Sequence, residues 1–176
     1  MSTVRQADSV RLNDRLSLDF RDYGFLIHGR IRRHFDVYLT RLDDEEAFLF
    51  FYPKDTDVEA PFALFNLHCY LKRTGSIENF AHSLGASVAS LSLEPVVVFG
   101  IDGLTYSRRI TMRDLFEGAP NIIDFIEGRP EMSVRDSHTY FRHRHAHYYT
   151  GMLHESDDDL HYDALRSCLL CSIELV

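Results

Sequence analysis

The sequence predicts an α+β fold: an N-terminal antiparallel meander, central helices, a second β-hairpin and a C-terminal helix. Three observations predict it. Phe25, Ile27, Ile31, Phe35, Val37 and Leu39 share one parity, and His28, Arg30, Arg32, His34, Asp36 and Thr40 share the other. That alternation marks strands with one buried face. From about Val58 the spacing of apolar residues changes to one that suits helices. Near the end, Ser156 followed by Asp157, Asp158 and Asp159 forms a helix start, a cap and then acids that suit the positive end of the dipole.

Taken in order, residues 1–15 read as a polar arm and 16–176 as a single domain. The alternating stretch is too long for one strand, so it breaks near Arg32–Arg33 into a hairpin. Asp43-Asp44-Glu45-Glu46 is the next turn. Ala47–Tyr52 is a third strand, buried on both faces and ended by Pro53. Pro61 can sit in a first helical turn. Phe62, Leu64, Phe65, Leu67, Cys69, Tyr70 and Leu71 then read as an apolar helix closed by Gly75. Ser76 caps a second helix carrying Phe80, Ala81, Leu84, Val88 and Leu91 on one face.

Val96–Phe99 is a short strand, Asp102-Gly103 a type I′ turn signal, and Leu104–Ile110 the returning partner. Thr111 caps a short helix through Glu117, and a further one spans Asn121–Glu127. Residues 131–155 fit helix or strand, with the hairpins elsewhere favouring strand. The last helix runs to about Ser172.

Composition narrows the function classes. The formal net charge is −8, so the chain as a whole repels nucleic acid and anionic membrane. Of the basic residues, seventeen are Arg and two, Lys54 and Lys72, are Lys. Arg offers a planar fork for carboxylate or phosphate and stacks on aromatic rings. Three cysteines do not make a disulfide framework, and they point to a reducing compartment. Cys168 and Cys171 have C-x-x-C spacing but fall late in an apolar helix, where they read as core. No apolar run approaches the roughly 18 residues of a membrane span, and the first fifteen residues lack the apolar core of a signal peptide. The expectation is a cytoplasmic protein with no membrane partner.

Six of the ten histidines lie between His138 and His161, concentrated in Arg142-His143-Arg144-His145-Ala146-His147. Histidine titrates near neutrality and is a common metal ligand. As a strand, the run sets His143, His145 and His147 on one face, where a His-x-His pair can chelate zinc with Glu155 or another His completing the set. No other cofactor is implied. Flanked by Tyr140, Phe141, Tyr148 and Tyr149, the same run also has the Arg-plus-aromatic character of a protein interface.

As a helix, His143 and His147 share a face. Arg142 through His147, followed by an apolar C-terminal helix, then resembles the Arg-polar-x-x-x-His motif of HEPN-type ribonucleases. The resemblance covers about residues 140–176. It implies an all-helical, metal-independent ribonuclease, with Arg142 holding phosphate and His147 moving a proton.

A second basic strip, His28, Arg30, Arg32 and His34, offers a place for RNA. DNA is not expected, because the helix-turn-helix-like stretch 76–91 lacks Arg, Lys, Asn or Gln from Ser87 onward to read base edges. The function expected from these features is a small non-enzymatic binding or assembly protein. Its contact residues are Arg142, His143, Arg144, His145, His147 and Tyr148, joined by Arg30 and Arg32, and its partner is a protein or a second copy of itself.

Overall fold

Antiparallel pairing organises most of the chain. A computed structural model describes residues 10–12, 19–54, 63–86, 92–115, 131–155 and 159–176. Eight strands form one sheet in the order β1-β4-β5-β6-β10-β9-β8-β7: β1 (Val10–Arg11), β4 (Phe35–Leu42), β5 (Glu46–Pro53), β6 (Ala63–Tyr70), β10 (Ala146–His154), β9 (Ser133–His143), β8 (Ile101–Thr111) and β7 (Glu94–Val98). A second sheet has the order β11-β3-β2, from Ile173–Leu175, Phe25–Ile27 and Asp19–Phe20. The described helices are short α1 (Ile77–Ala81) and α2 (Met112–Leu115), and the longer α3 (Asp159–Leu170). The protein is thus mostly β, which corrects the expected α+β fold with central helices.

The largest correction is β6. Its apolar content suggests a helix, but its burial follows period 2. Ala63, Phe65, Leu67 and Cys69 are buried, while Asn66 and His68 sit on the other face. Backbone pairing to β5 on one side and β10 on the other gives the segment more than an isolated helix could.

The alternating stretch from Phe25 to Thr40 is also not one hairpin. Gly29–Arg33 forms a 3₁₀ turn that carries the chain from the small sheet to the large one. Parity survives the crossing because Ile31 is buried at the junction.

The turn at 43–45 between β4 and β5 forms as expected, and the Asp43 carboxylate accepts the Glu45 and Glu46 amides at 2.9 Å. β5 does not bury both faces: Ala47, Leu49 and Phe51 are buried, and the intervening residues are only partly so.

The second hairpin turns three residues earlier than Asp102-Gly103. Val98 pairs with Ile101, leaving Phe99 and Gly100 as the loop with φ of 53° and 72°, the left-handed pair a type I′ turn requires. Gly103 lies inside β8, where a Cβ would come within 2.7 Å of the Tyr140 carbonyl oxygen.

Ser76 accepts the Asn79 amide and starts α1, and Thr111 accepts the Asp114 amide and starts α2. Residues 87–91, the helix expected at 121–127 and the cap at Ser156 lie outside the described residues. So does most of the arm read over 1–15; of it, Val10–Arg11 pairs with β4 and Leu12 is buried.

One face of the large sheet carries the main core. Leu49, Phe51, Phe65, Leu67, Tyr148 and Met152 meet Phe25 and Ile173 of the small sheet and Tyr162 and Leu169 of α3. Each such side chain contributes about 1.5–3 kcal/mol when fully buried. On the opposite face α1 lays Phe80 and Ala81 over Tyr70, Tyr106 and Tyr140. Away from α1 that face continues as a row of aromatic rings.

Candidate functional site

The histidine run lies at the end of the large sheet, where β9 turns into β10. His143 pairs with Ala146 and Arg142 with His147, so Arg144 and His145 are the two turn residues. The turn decides every role proposed for the run. In a continuous strand His143, His145 and His147 would share a face. Here His143 lies on the face of Ala146, His147 lies on the opposite face beside Arg142, and His145 is exposed in the turn.

His147 is fully buried. Its Nε2 lies 3.2 Å from the Gly75 carbonyl and its ring 4.9 Å from Phe80. Desolvation lowers its pKa from the usual 6.5; hydrogen bonding to Gly75 opposes the shift and the nearby charge of Arg142 adds to it. Tyr148 is core rather than contact surface. Its ring stacks on Phe141 at 5.0 Å, and its hydroxyl donates to the Tyr23 carbonyl at 2.7 Å. Burial pushes that hydroxyl well above the ordinary tyrosine range.

The three histidines therefore do not converge on a zinc ion. Among the described residues, no group of three His, Cys, Asp or Glu is placed to hold a metal. Arg142 and His147 do meet across the ladder. However, His147 is held by a backbone carbonyl inside the protein, and 133–143 and 146–154 are strands. The helical scaffold implied by the ribonuclease motif is absent from this segment.

Arg30 and Arg32 are not on a sheet surface with a basic strip. Both belong to the 3₁₀ turn 29–33. The Arg30 guanidinium donates to the Cys171 carbonyl, and the Arg32 carbonyl accepts the Lys54 ammonium. All three cysteines are free; Cys69 is buried, but Cys171 is exposed rather than part of the core. Burial pushes the Cys69 thiol up to about 12, so it stays protonated.

What remains at the turn is a cationic corner. Arg142, Arg144 and His145 are exposed, and Arg73 follows β6 at the same end of the sheet. The guanidiniums of Arg142 and Arg144 have no acidic partner among the described residues, and Arg73 rests over the Tyr70 ring at 5.6 Å. Several other cations are paired with acids: Arg41 with Asp43 and Glu46, Lys72 with Glu45, Arg108 with Asp136, and Arg135 with Asp159. Beside the turn lies a cleft of about 180 Å³ whose walls include Arg21, Asp22, Leu71, His143, Arg144 and His145.

Arg144 has φ of 52°, a left-handed conformation that favours glycine. Phe99 shares that conformation at the other two-residue turn, but its ring packs on Phe141 at 5.5 Å. Among the described residues, no ring packs on Arg144 to offset its conformation.

Sequence reasoning missed the aromatic row on the opposite face. Phe48 stacks on His68 at 4.3 Å, His68 meets Tyr149 at 5.3 Å, Tyr149 stacks on His138 at 5.2 Å, and His138 on Tyr106 at 4.7 Å. Burial lowers His68 to about 4, so the ring is neutral. Next to it, the Asp136 carboxylate accepts from the Arg108 guanidinium at 2.9 Å and is bonded to His138. Burial alone would raise the Asp136 pKa, but His138 and then Arg108 outweigh it and hold the carboxylate ionised. The signal for this row was the parity of β5 and β6, which places Phe48, Phe50, Asn66 and His68 on one side.

No family model and no curated protein sequence matches the chain. Among solved structures, the solution structure of cyanobacterial PsbP (CyanoP) from Synechocystis sp. PCC 6803 aligns with 100% of this chain and 97% of that one. The sequence identity is 13% and the TM-score 0.36. No helix among the described residues is long and apolar enough to cross a membrane.

Proposed function

We propose that this is a non-enzymatic binding or assembly protein. It docks an acidic protein segment on the corner formed by Arg73, Arg142, Arg144 and His145. The observation that carries this reading is the pair of exposed guanidiniums, Arg142 and Arg144, without acidic partners among the described residues of a chain whose formal net charge is −8. In such a chain intramolecular acids are in excess, so cations at a hairpin tip that form no ion pair with the described acids are available to a partner. Arg is suited to bidentate recognition of carboxylates. The strand ladder on both sides of the turn holds the guanidiniums in place, which reduces the ordering cost of binding. With its cysteines free, the chain fits a reducing compartment such as the cytoplasm.

The test is fluorescence anisotropy with a labelled oligoglutamate peptide and with labelled oligouridine, on wild type and the double variant Arg142→Glu/Arg144→Glu. Binding of the peptide that weakens with salt and is lost in the variant is the expected result. Equal binding by wild type and variant, or binding of oligouridine alone, refutes the reading.

A further inference from the structure

The aromatic row ends in an open groove over β4 and β5, on the sheet face opposite the main core and separate from the cationic corner. We propose that this groove is a binding site for a neutral sugar ring, taken from an oligosaccharide.

The groove has a volume of about 430 Å³ and is lined by Tyr38, Thr40, Phe50 and Tyr52. That volume lies within the range of about 300–1,000 Å³ typical of small-molecule sites. Tyr38 pairs directly with Phe50 across the ladder, and Tyr52 lies two residues further along β5. The Tyr38 and Tyr52 ring centroids are 5.4 Å apart with the planes at 88°, so the two rings form a corner with one face and one edge. Tyr52 is 41% exposed, a large ring left open to solvent.

The polar groups also point to the class of ligand. The hydroxyls of Tyr38 and Tyr52 have no hydrogen-bond partner among the described residues. The Thr40 hydroxyl donates to the Phe48 carbonyl at 3.3 Å and retains its acceptor capacity. Burial, and then the neighbouring Tyr38, raise the Tyr52 pKa above 10.0, so this hydroxyl remains a donor at neutral pH.

Charge complementarity selects an uncharged occupant. Among the described residues, the lining is three aromatic rings and a threonine, with no Asp, Glu, Lys, Arg or His. Nearby charges are already paired: Lys54 with Asp36 at 3.7 Å, and Arg41 with Asp43 and Glu46 at 2.9 Å. A polyanion would meet no cation in this lining and a chain of net charge −8. An alkyl chain would cover the tyrosine hydroxyls without giving them partners, which is costly. A pyranose matches both requirements. Its C–H face packs against an aromatic ring, and its hydroxyls donate to and accept from tyrosine and threonine. Phe50 is preorganised, because its ring meets His68 edge-on at 5.4 Å and His68 in turn stacks on Phe48 at 4.3 Å.

The full chain, isotopically labelled, is titrated with maltohexaose, cellohexaose and hexauridine, and followed by amide chemical shifts. The chain has no Trp, so tyrosine emission gives a second readout. The expected result is that a hexasaccharide shifts the amides of Tyr38, Thr40, Phe50 and Tyr52. Tyr52→Ala should weaken that binding about tenfold, and Tyr52→Phe, which keeps the ring, only about threefold. The exposure of Tyr52 lets both variants fold, which their unperturbed spectra check. The proposal is overturned if neither hexasaccharide shifts these residues, if Tyr52→Ala leaves the affinity unchanged, or if hexauridine alone binds there.

Discussion

Arg144 and Phe99 take the same left-handed conformation at equivalent places, the first residue of a two-residue turn, and the surroundings differ. Phe99 gains packing against Phe141. Arg144 holds an exposed guanidinium at the cost of local strain. Arg144→Gly should therefore stabilise the protein, by about 0.5–1 kcal/mol after the added freedom of the unfolded chain is counted. Urea denaturation measures this; a loss of stability in the variant would show that Arg144 makes a structural contact. The same variant should bind oligoglutamate more weakly. The Arg and His identities of this segment are plain in the sequence. Its division into an exposed pair at the turn and a buried His147 is not, because that depends on where β9 ends.

Strand pairing explains which glycines tolerate change. At Gly103 in β8 an added Cβ would lie 2.7 Å from the Tyr140 carbonyl oxygen and 3.3 Å from the Phe141 Cβ. Both belong to the paired strand β9, so the ladder itself must shift. At Gly151 in β10 the near atoms are the Tyr149 hydroxyl at 2.7 Å and the Asn66 amide at 3.0–3.1 Å, all from side chains. Asn66 also accepts the Gly151 amide at 2.7 Å, so displacing it breaks a hydrogen bond. Both changes to Ala should destabilise by about 1–3 kcal/mol, Gly103→Ala more than Gly151→Ala. Chemical denaturation checks the order, and the reverse order would contradict the stated register of β8 and β9.

The strands β4, β5, β7 and β8 are legible in the sequence, as are the caps at Ser76 and Thr111. β6 is not, since a segment with apolar residues on both parities satisfies helix and strand alike until neighbours on both sides choose. β11 is equally hidden: three residues form a strand only because β3 lies beside them.

Across the whole molecule, buried imidazoles couple stability to pH. Desolvation lowers the pKa of His68 to about 4, and it lowers those of His147 and His154. Each binds a proton more readily once unfolded, where the value returns to about 6.5. Stability is therefore fully present above about pH 6.5 and declines as the pH falls toward 4. His68 alone accounts for about 3 kcal/mol of that loss. His68→Phe keeps a ring against Phe48 and removes the titration, so the fall in stability between pH 7 and pH 4 should be smaller in the variant. Denaturation midpoints at the two pH values decide it; an unchanged fall would place the titration elsewhere.

By itself, the sequence determined the chemical inventory: an acidic chain, Arg in place of Lys, a dense Arg–His run, and alternation strong enough to specify strands where only one parity is apolar. These are local properties, readable from residue type and spacing. Tertiary structure alone decided which side chains face outward together. The two-residue turn at Arg144–His145 put His143 and His147 on opposite faces and left the guanidiniums at a corner. Pairing of β6 between β5 and β10 completed the aromatic row, and pairing of β4 with β5 formed the groove at its end. The first outcome depends on where one hairpin turns and the second on register between β6 and β10, strands far apart in the chain; a shift of one residue would exchange every inward side chain for an outward one.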